Sequence, residues 1–201
     1  MDEKLKPFVP NPVMGGLLGL CPLVAAADSF ADGAVIGLGA ALSALALGAL
    51  LPLLRGVLPQ RLRSPVAFIL AASLAALYSV GVEAYSPTLA SGLGLYLPLT
   101  AVNCIIIATL RHSLRDEGSP FPWLLPTAAG YLLVALLLSG LREFLGAGTL
   151  TLPSPGSPSA IAFTQAPPLR LLIAPAGGFM LLGCFAALYR FVLRIKGRRI
   201  P

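Results

Sequence analysis

Apolar residues fall in six long runs along the chain, separated by short segments that hold most of the charges. Each run is near the roughly 20 residues that a helix needs to cross about 30 Å of hydrocarbon. We therefore predict six transmembrane helices, at residues 12–27, 34–54, 64–82, 93–110, 118–141 and 171–189. Cys21-Pro22 lies in the middle of the first span and Pro98 interrupts the fourth, so these two helices are expected to be broken near the midplane.

The composition places this pattern in a membrane. Hydrophobic residues make up 57% of the 201 residues and charged residues only 11%, whereas soluble domains are about 25% charged. A soluble fold of this size has too small an interior to bury so much apolar surface. The sequence predicts an all-α integral membrane protein with a single membrane domain over residues 1–201.

The basic residues predict the orientation of the spans. With six spans, one side carries twelve of the fourteen Lys and Arg residues, and the other side keeps Arg142 and Arg170. Because cytoplasmic loops carry the excess of Lys and Arg, both termini are predicted to be cytoplasmic in a multi-pass protein of the bacterial inner membrane. We attribute the net charge of +6 to this excess of Lys and Arg on the cytoplasmic side. The basic tail, 194–201, is expected to contact lipid headgroups, and nucleic acid is not expected as a partner.

Two of the three cysteines lie at matching depths in spans that enter from opposite faces. Cys21 follows Pro12 by nine residues and Cys104 follows Leu95 by nine, which is about 14 Å of helix and close to the midplane. Each of these spans opens a three-span unit, one at about 11–92 and the other at about 93–193. Since three is odd, the second unit is predicted to be an inverted repeat of the first.

The residues themselves leave two interpretations of Cys21 and Cys104 open. Buried cysteine often acts as a small hydrophobe in packing, and this is the interpretation for Cys184. Alternatively, Cys21 and Cys104 are metal ligands. Zinc is disfavoured because no His, Asp or Glu lies near them. A 2Fe-2S cluster usually takes four thiolates, so another protein of the same complex would have to supply the other two.

Charged residues near the span ends can be interpreted either as structural groups at the membrane boundary or as part of an ion pathway. Glu83, Arg142 and Glu143 are predicted to reach water at the membrane boundary, the long Arg stem by snorkelling. Arg142 beside Glu143 is interpreted as an interfacial pair that holds an outer helix end, in preference to part of an ion pathway. The Pro-, Ser- and Gly-rich connection at 146–168 is predicted to be an irregular outer loop.

Several segments of the chain resemble one family of membrane subunits. They are Asn11-Pro12-Val13, LLGLCPL at 17–23, Leu97-Pro98-Leu99 leading to Asn103-Cys104-Ile105, LREFLGAGTL at 141–150, and the region 174–179. In these segments the chain resembles the family that contains the E-type subunit of the Rnf electron-transport complex and the D-type subunit of the sodium-pumping NADH:quinone reductase. It departs from the family at 105–115, where IIIATLRHSLR replaces a Gly-Arg-Ala-Glu stretch.

The resemblance implies a non-autonomous subunit of a redox-driven ion translocase, a ferredoxin:NAD oxidoreductase. It implies that Cys21 and Cys104 provide half the ligands of a 2Fe-2S cluster shared with a homologous A-type subunit. It also implies flavin-bearing and ferredoxin-type partner subunits, and coupling to sodium or proton transport. The chain itself has no nucleotide-binding fingerprint or flavin-attachment signal that we recognise. The alternatives are a small inverted-repeat secondary transporter and a structural membrane subunit without a cofactor.

Overall fold

The computed structural model describes residues 21–55, 59–115, 121–154, 159–162 and 174–195, and within these ranges the chain is mostly helical. The elements in chain order are α1 (Cys21–Ala26), α2 (Phe30–Arg55), α3 (Gln60–Tyr85), α4 (Pro87–Leu93), α5 (Tyr96–Leu99), a 3₁₀ turn (Thr100–Val102), α6 (Cys104–Arg115), α7 (Phe121–Gly146), β1 (Thr149–Leu152), β2 (Ser159–Ala162) and α8 (Pro175–Ile195).

Three helices in the described ranges are long and apolar enough to cross a membrane. They cover Phe30–Leu53, Leu62–Tyr85 and Phe121–Gly146, which confirms an all-α membrane architecture at this level. The predicted fourth span corresponds to a helix pair, Pro87–Leu93 and Tyr96–Leu110, that is bent by 69°. The predicted sixth span contains a shorter apolar helix, Ala176–Leu188. Residues 12–20 of the predicted first span lie outside the described residues.

The predicted fourth span bends at other residues than Pro98, where the sequence predicted the interruption. Pro98 lies inside the single helical turn of α5, whereas the sharp bend precedes it at Gly94. Gly94 has a positive φ of 41°, a backbone conformation that glycine adopts without a Cβ clash. A second interruption follows at Asn103, whose extended backbone (φ −64°, ψ 141°) separates the 3₁₀ turn from α6.

α2 and α7 run antiparallel and form the closest helix pair among the described elements. A Cβ at Gly33 would overlap the side chain of Ser139, and a Cβ at Gly37 would lie 3.0 Å from the Cβ of Ala135. At the end of the same seam where α2 begins, a Cβ at Gly140 would lie 3.2 Å from the ring of Phe30. Small residues allow helix backbones to approach closely in membranes, where apolar surface alone does not drive helices together.

Two clusters of buried residues surround this pair. One joins α1, α2, α3, α4, α5 and α7, and its members are Leu23, Val24, Ala27, Ala31, Val35, Ile36, Val82, Leu89, Leu93, Leu97, Val134, Ala135 and Leu138. The other joins α2, α3, α6 and α7, and its members are Ala40, Ala44, Leu47, Leu51, Ala67, Ala71, Ile105, Ile106, Leu110, Leu124 and Tyr131. α2, α3 and α7 each contribute to both clusters, so these three helices form the centre of the bundle.

The connection after α7 contains a β-hairpin where the sequence predicted an irregular loop. Gly148, with a φ of 69°, ends α7 in the left-handed conformation typical of helix C-termini. β1 then pairs with β2 in antiparallel register, from Thr149 opposite Ala162 to Leu152 opposite Ser159. The alternation of Thr and Leu in β1 suits a strand with two unlike faces. The irregular-loop prediction was therefore wrong for these eight residues.

Candidate functional site

Cys104 lies where the interrupted fourth region becomes a regular helix. It is the first residue of α6, directly after the extended Asn103. Its thiol is free within this chain and its side chain is half-buried. A half-buried thiol beside a helix interruption remains partly accessible to a group outside the chain.

Asn103 fixes the start of α6. From the sequence it was assigned no role of its own and was given only as part of the segment Asn103-Cys104-Ile105. Its side chain is 3% exposed, and its Nδ2 donates to the hydroxyl of Tyr131 on α7 at 2.8 Å. Its Oδ1 accepts a longer contact of 3.4 Å from the Ile105 N–H, and its backbone oxygen accepts from the Ile106 N–H at 2.9 Å. Asn is a preferred N-cap residue, and this preference is the sequence signal that would have found its role.

The two cysteine-bearing segments are neighbours in the fold. α1, which contains Cys21, packs against α5, which precedes Cys104 by one short turn. Leu23 of α1 and Leu97 of α5 belong to the same buried cluster. The side chain of Cys21 itself lies outside the described residues.

Cys184 lies elsewhere, on the exposed surface of α8. A Cβ built at its neighbour Gly183 meets nothing within 4 Å, whereas Leu181 and Leu182 of the same helix pack against the buried cluster that contains Leu23. Cys184 is exposed in the described chain, and its interpretation as a small hydrophobe stays a prediction. Among the described residues, no group of three or more His, Cys, Asp or Glu side chains is placed to hold a metal ion.

Arg142 is buried in the protein, although the sequence predicted that it would reach water. Its side chain is 1% exposed, and its Nη1 donates to the carbonyl oxygens of Val24 at 2.9 Å and Ala27 at 3.1 Å. Its Nη2 lies 2.9 Å from a carboxylate oxygen of Asp28. The carbonyls at the end of a helix have no partner within it, and a cation there is favoured by the helix dipole. Arg142 therefore caps α1, the cysteine-bearing helix.

Glu143 is also buried, at 3% exposure, and it caps the next helix. Its Oε2 accepts from the backbone N–H of Phe30, the first residue of α2, at 2.7 Å. Its Oε1 accepts from the hydroxyls of Thr149, at 3.0 Å, and Thr151, which lie on one face of β1 because alternate residues of a strand point the same way. Glu143 thus joins α2, α7 and the hairpin.

A capping box completes the start of α2. The Ser29 Oγ accepts from the Asp32 N–H at 3.2 Å, and the Asp32 carboxylate accepts from the Ser29 N–H at 3.3 Å and from its hydroxyl at 2.7 Å. This reciprocal arrangement satisfies N–H groups that a helix leaves free at its start. The spacing of Ser29 and Asp32 was a readable signal that the sequence analysis missed.

α8 approaches this region closely at Gly178. A Cβ at Gly178 would lie 3.2 Å from the Val24 carbonyl oxygen and 3.4 Å from the guanidinium carbon of Arg142. A side chain at this position would be tightly packed, so glycine suits the close approach of α8 to the capped end of α1. Gly178 is within the 174–179 region on which the family resemblance partly depended.

A family of membrane proteins matches almost the whole chain. The family described as "Rnf-Nqr subunit, membrane protein" matches residues 5–186. The chain belongs to this Rnf-Nqr family. The family predicted from the resemblance is therefore confirmed.

Relatives in the Rnf-Nqr family extend over most of this chain. It is 30% identical over 180 residues to the E-type subunit of the Na(+)-translocating ferredoxin:NAD(+) oxidoreductase complex of Acetobacterium woodii, with 89% of each chain covered. It is 32% identical over 188 residues to the E-type subunit of the ion-translocating oxidoreductase complex of Pseudomonas paraeruginosa, covering 89% of this chain and 78% of the relative. The protein of the same name from Methanosarcina acetivorans is 32% identical over 142 residues, with 70% and 67% covered.

Proposed function

We propose that this chain is the E-type membrane subunit of an ion-translocating ferredoxin:NAD oxidoreductase. The observation that carries the proposal is the 30% identity to a relative of that name over 89% of both chains. The chain would act within a complex, together with the flavin-bearing and ferredoxin-type subunits that the family resemblance implies. Catalysis of hydride transfer would belong to those subunits, and this chain would carry electrons through the membrane.

The proposed redox group is a 2Fe-2S cluster to which Cys21 and Cys104 contribute two thiolates. The packing of α1 on α5 supports this, because it brings the two cysteine-bearing segments together. The half-buried position of Cys104 supports it as well, since a shared ligand must remain accessible to a partner. Four thiolates are the usual set, so a homologous A-type subunit would supply the other two. The bound cluster would supply one-electron transfer in a region from which lipid excludes water.

The chain's own residues would hold the thiolates in place. Arg142 fixes the end of α1 through the carbonyls of Val24 and Ala27. Asn103 fixes the start of α6 through Tyr131. Each cysteine is thereby carried on a segment that is hydrogen-bonded to α7, a helix with residues in both buried clusters.

We further propose six spans arranged as two inverted three-helix repeats. One end of the bundle contains the end of α1, the start of α2, the end of α7, the hairpin and the start of α8, as the contacts of Arg142, Glu143 and Gly178 require. Six alternating spans would put these parts on the same side of the membrane. The distribution of Lys and Arg then supports cytoplasmic termini and an inner-membrane location.

Substitution of the cysteines tests the redox proposal. The purified complex is reduced and its 2Fe-2S signal is recorded by electron paramagnetic resonance. We expect Cys21→Ala and Cys104→Ala each to abolish one 2Fe-2S signal, because a cluster that lacks a thiolate ligand is not retained. Cys184→Ala is the matched control, since this thiol lies on the exposed face of α8, and it should leave the signal intact.

The result that would contradict the redox proposal is an unchanged spectrum in both Cys21→Ala and Cys104→Ala complexes that contain all their subunits. Loss of the signal only in Cys184→Ala would show that the wrong thiols were assigned. The protein content of each purified complex, checked by gel electrophoresis, separates loss of the cluster from loss of assembly.

A further inference from the structure

An apolar groove lies between α2 and α3 and is unrelated to the cysteine segments. Its volume is about 620 Å³, and its lining extends along α2 from Ala34 to Ala46 and along α3 from Leu74 to Tyr85. Leu89 of α4 and Pro153, just after β1, also line it. Apart from Ser43 and the two tyrosines, the lining residues are apolar.

The length of the groove matches one leaflet of a bilayer. The twelve helical steps from Ala34 to Ala46 rise about 18 Å, and the eleven from Leu74 to Tyr85 about 16 Å. Half of the hydrocarbon core is about 15 Å. Ala34, near the start of α2, and Tyr85, at the end of α3, lie at one end of the groove. With the six spans proposed above, the groove would extend from the membrane surface at that end to about the midplane.

Tyr78 lines the groove, but its hydroxyl is already used in a hydrogen bond within the protein and is not free to donate to a polar ligand. Its ring packs on Gly39, which has no side chain to keep it away, and its hydroxyl donates to the Val35 carbonyl oxygen at 2.7 Å. The walls include leucines with large exposed fractions, such as Leu42 and Leu77. A site of this kind favours a hydrocarbon chain.

We propose that the groove binds one acyl chain of a phospholipid from the leaflet at which it opens. Acyl chains are the apolar groups present at this depth in every bilayer. A transmembrane helix of a partner would run through the full thickness of about 30 Å, twice the length of the groove. An acyl chain, which spans one leaflet, matches the length of the groove and would not extend beyond it.

The charges near the opening favour a zwitterionic headgroup. Asp32 lies in the first turn of α2 and Glu83 in the last turn of α3, where it is exposed. In the part of the chain that the structure describes, no Lys or Arg lines the groove. Acidic side chains repel an anionic phosphate that lacks a compensating charge and attract an ammonium group, so phosphatidylethanolamine is favoured over phosphatidylglycerol.

Gly81 provides a way to fill the groove without disturbing the helices. It lines the groove, and a Cβ built there meets nothing within 4 Å. Gly183 on α8 is equally open and lies outside the groove. Gly81→Phe and Gly183→Phe therefore form a matched pair, with Gly81→Leu as a smaller replacement that serves if the Phe variant does not assemble.

The test is photolabelling of the purified complex in phosphatidylcholine vesicles. The vesicles contain phosphatidylethanolamine or phosphatidylglycerol with a diazirine in the acyl chain, and adducts are mapped by mass spectrometry. We expect adducts concentrated on the α2 and α3 residues of the groove, several-fold fewer in Gly81→Phe, and no change in Gly183→Phe. Labelling by the phosphatidylethanolamine probe should exceed labelling by the phosphatidylglycerol probe.

Three results would overturn the proposal. Adducts spread evenly over all exposed helix faces and unaffected by Gly81→Phe would mean ordinary surrounding lipid only. An unlabelled groove, with crosslinks from its residues to a partner protein of the complex, would mean that a partner helix occupies it. Equal labelling by the two probes would overturn the headgroup preference.

Discussion

At the scale of single residues, the two adjacent charges at the end of α7 have separate structural tasks. Arg142 satisfies carbonyls at the end of α1, and Glu143 satisfies the first N–H of α2. A short connection between α1 and α2 is therefore held from both sides by neighbouring residues of one helix. These contacts favour a structural role for Arg142 and Glu143 over a role in an ion pathway. The role is to cap two helices, which the interfacial pair predicted from the sequence did not specify.

Replacement of Arg142 should destabilise the protein through α1. Arg142→Ala leaves the Val24 and Ala27 carbonyls without their donor, and a buried group that loses its partner costs about 1–3 kcal/mol. Arg142→Lys should recover only part of this, because an ammonium lacks the guanidinium fork that reaches two carbonyls and Asp28 together. Thermal unfolding of the purified protein in detergent measures the effect.

The matched control for Arg142 is Glu83→Ala, which removes an exposed charge at the end of α3. It should leave the unfolding temperature close to that of the unmodified protein. If Arg142→Ala unfolds at the same temperature as Glu83→Ala, the capping role assigned to Arg142 is wrong.

At the scale of elements, the α2–α7 seam determines how closely the bundle packs. Gly33 and Gly37 are one turn apart on α2, and both face α7 at contact distance. The seam brings the start of α2 against the end of α7, which is why Glu143 reaches the Phe30 N–H. The position of the buried charges thus depends on the small residues of the seam.

A methyl group at Gly33 should force the two helices apart. Gly33→Ala overlaps the Ser139 side chain, and overpacking of this kind costs about 1–3 kcal/mol. Combining it with Ser139→Gly removes the obstacle, so the double variant should be more stable than Gly33→Ala alone. Thermal unfolding of the variants in one detergent provides the comparison.

Gly183→Ala is the control for Gly33, because it adds the same methyl group where nothing lies within 4 Å. It should be neutral or slightly stabilising, since Ala is the better helix former. Equal stability of Gly33→Ala and Gly183→Ala would mean that α2 and α7 do not meet closely at this point.

At the scale of the whole molecule, the predicted topology has direct consequences for accessibility. With twelve basic residues on one side and two on the other, a green fluorescent protein fused after residue 201 should fluoresce in the cytoplasm. Alkaline phosphatase inserted after Pro153, next to the hairpin, should be active because it is exported. The reverse pattern, or the same pattern at both positions, would contradict six spans with cytoplasmic termini.

The sequence predicted much of the helical architecture but few of its interruptions. The second, third and fifth predicted spans correspond to α2, α3 and α7, because a long apolar run is visible locally. The bend at Gly94 was missed, since Pro98 was the stronger local signal and a positive φ at glycine leaves no mark in the sequence. The hairpin was missed because Pro- and Ser-rich flanks outweighed the short Thr-Leu alternation of β1.

The sequence predicted some parts of the candidate site and missed others. Cys21 and Cys104 were selected from depth and spacing, and their assignment to a cluster stays a prediction. The Asn103 and Ser29–Asp32 caps follow recognisable patterns and were readable. The capping contacts of Arg142 with Val24 and Ala27 and of Glu143 with Phe30 were not readable, because these partners lie more than a hundred residues away in the chain.

The sequence by itself determined that this chain belongs in a membrane and to the Rnf-Nqr family, because hydrophobicity and motif identity are properties of local stretches of residues. Only the tertiary structure decided that Arg142 and Glu143 are buried caps and that α1 lies against α5. It also decided that α2 and α3 leave an apolar groove between them. These features depend on which helices meet and at what height, and that is fixed by packing between segments distant in the chain.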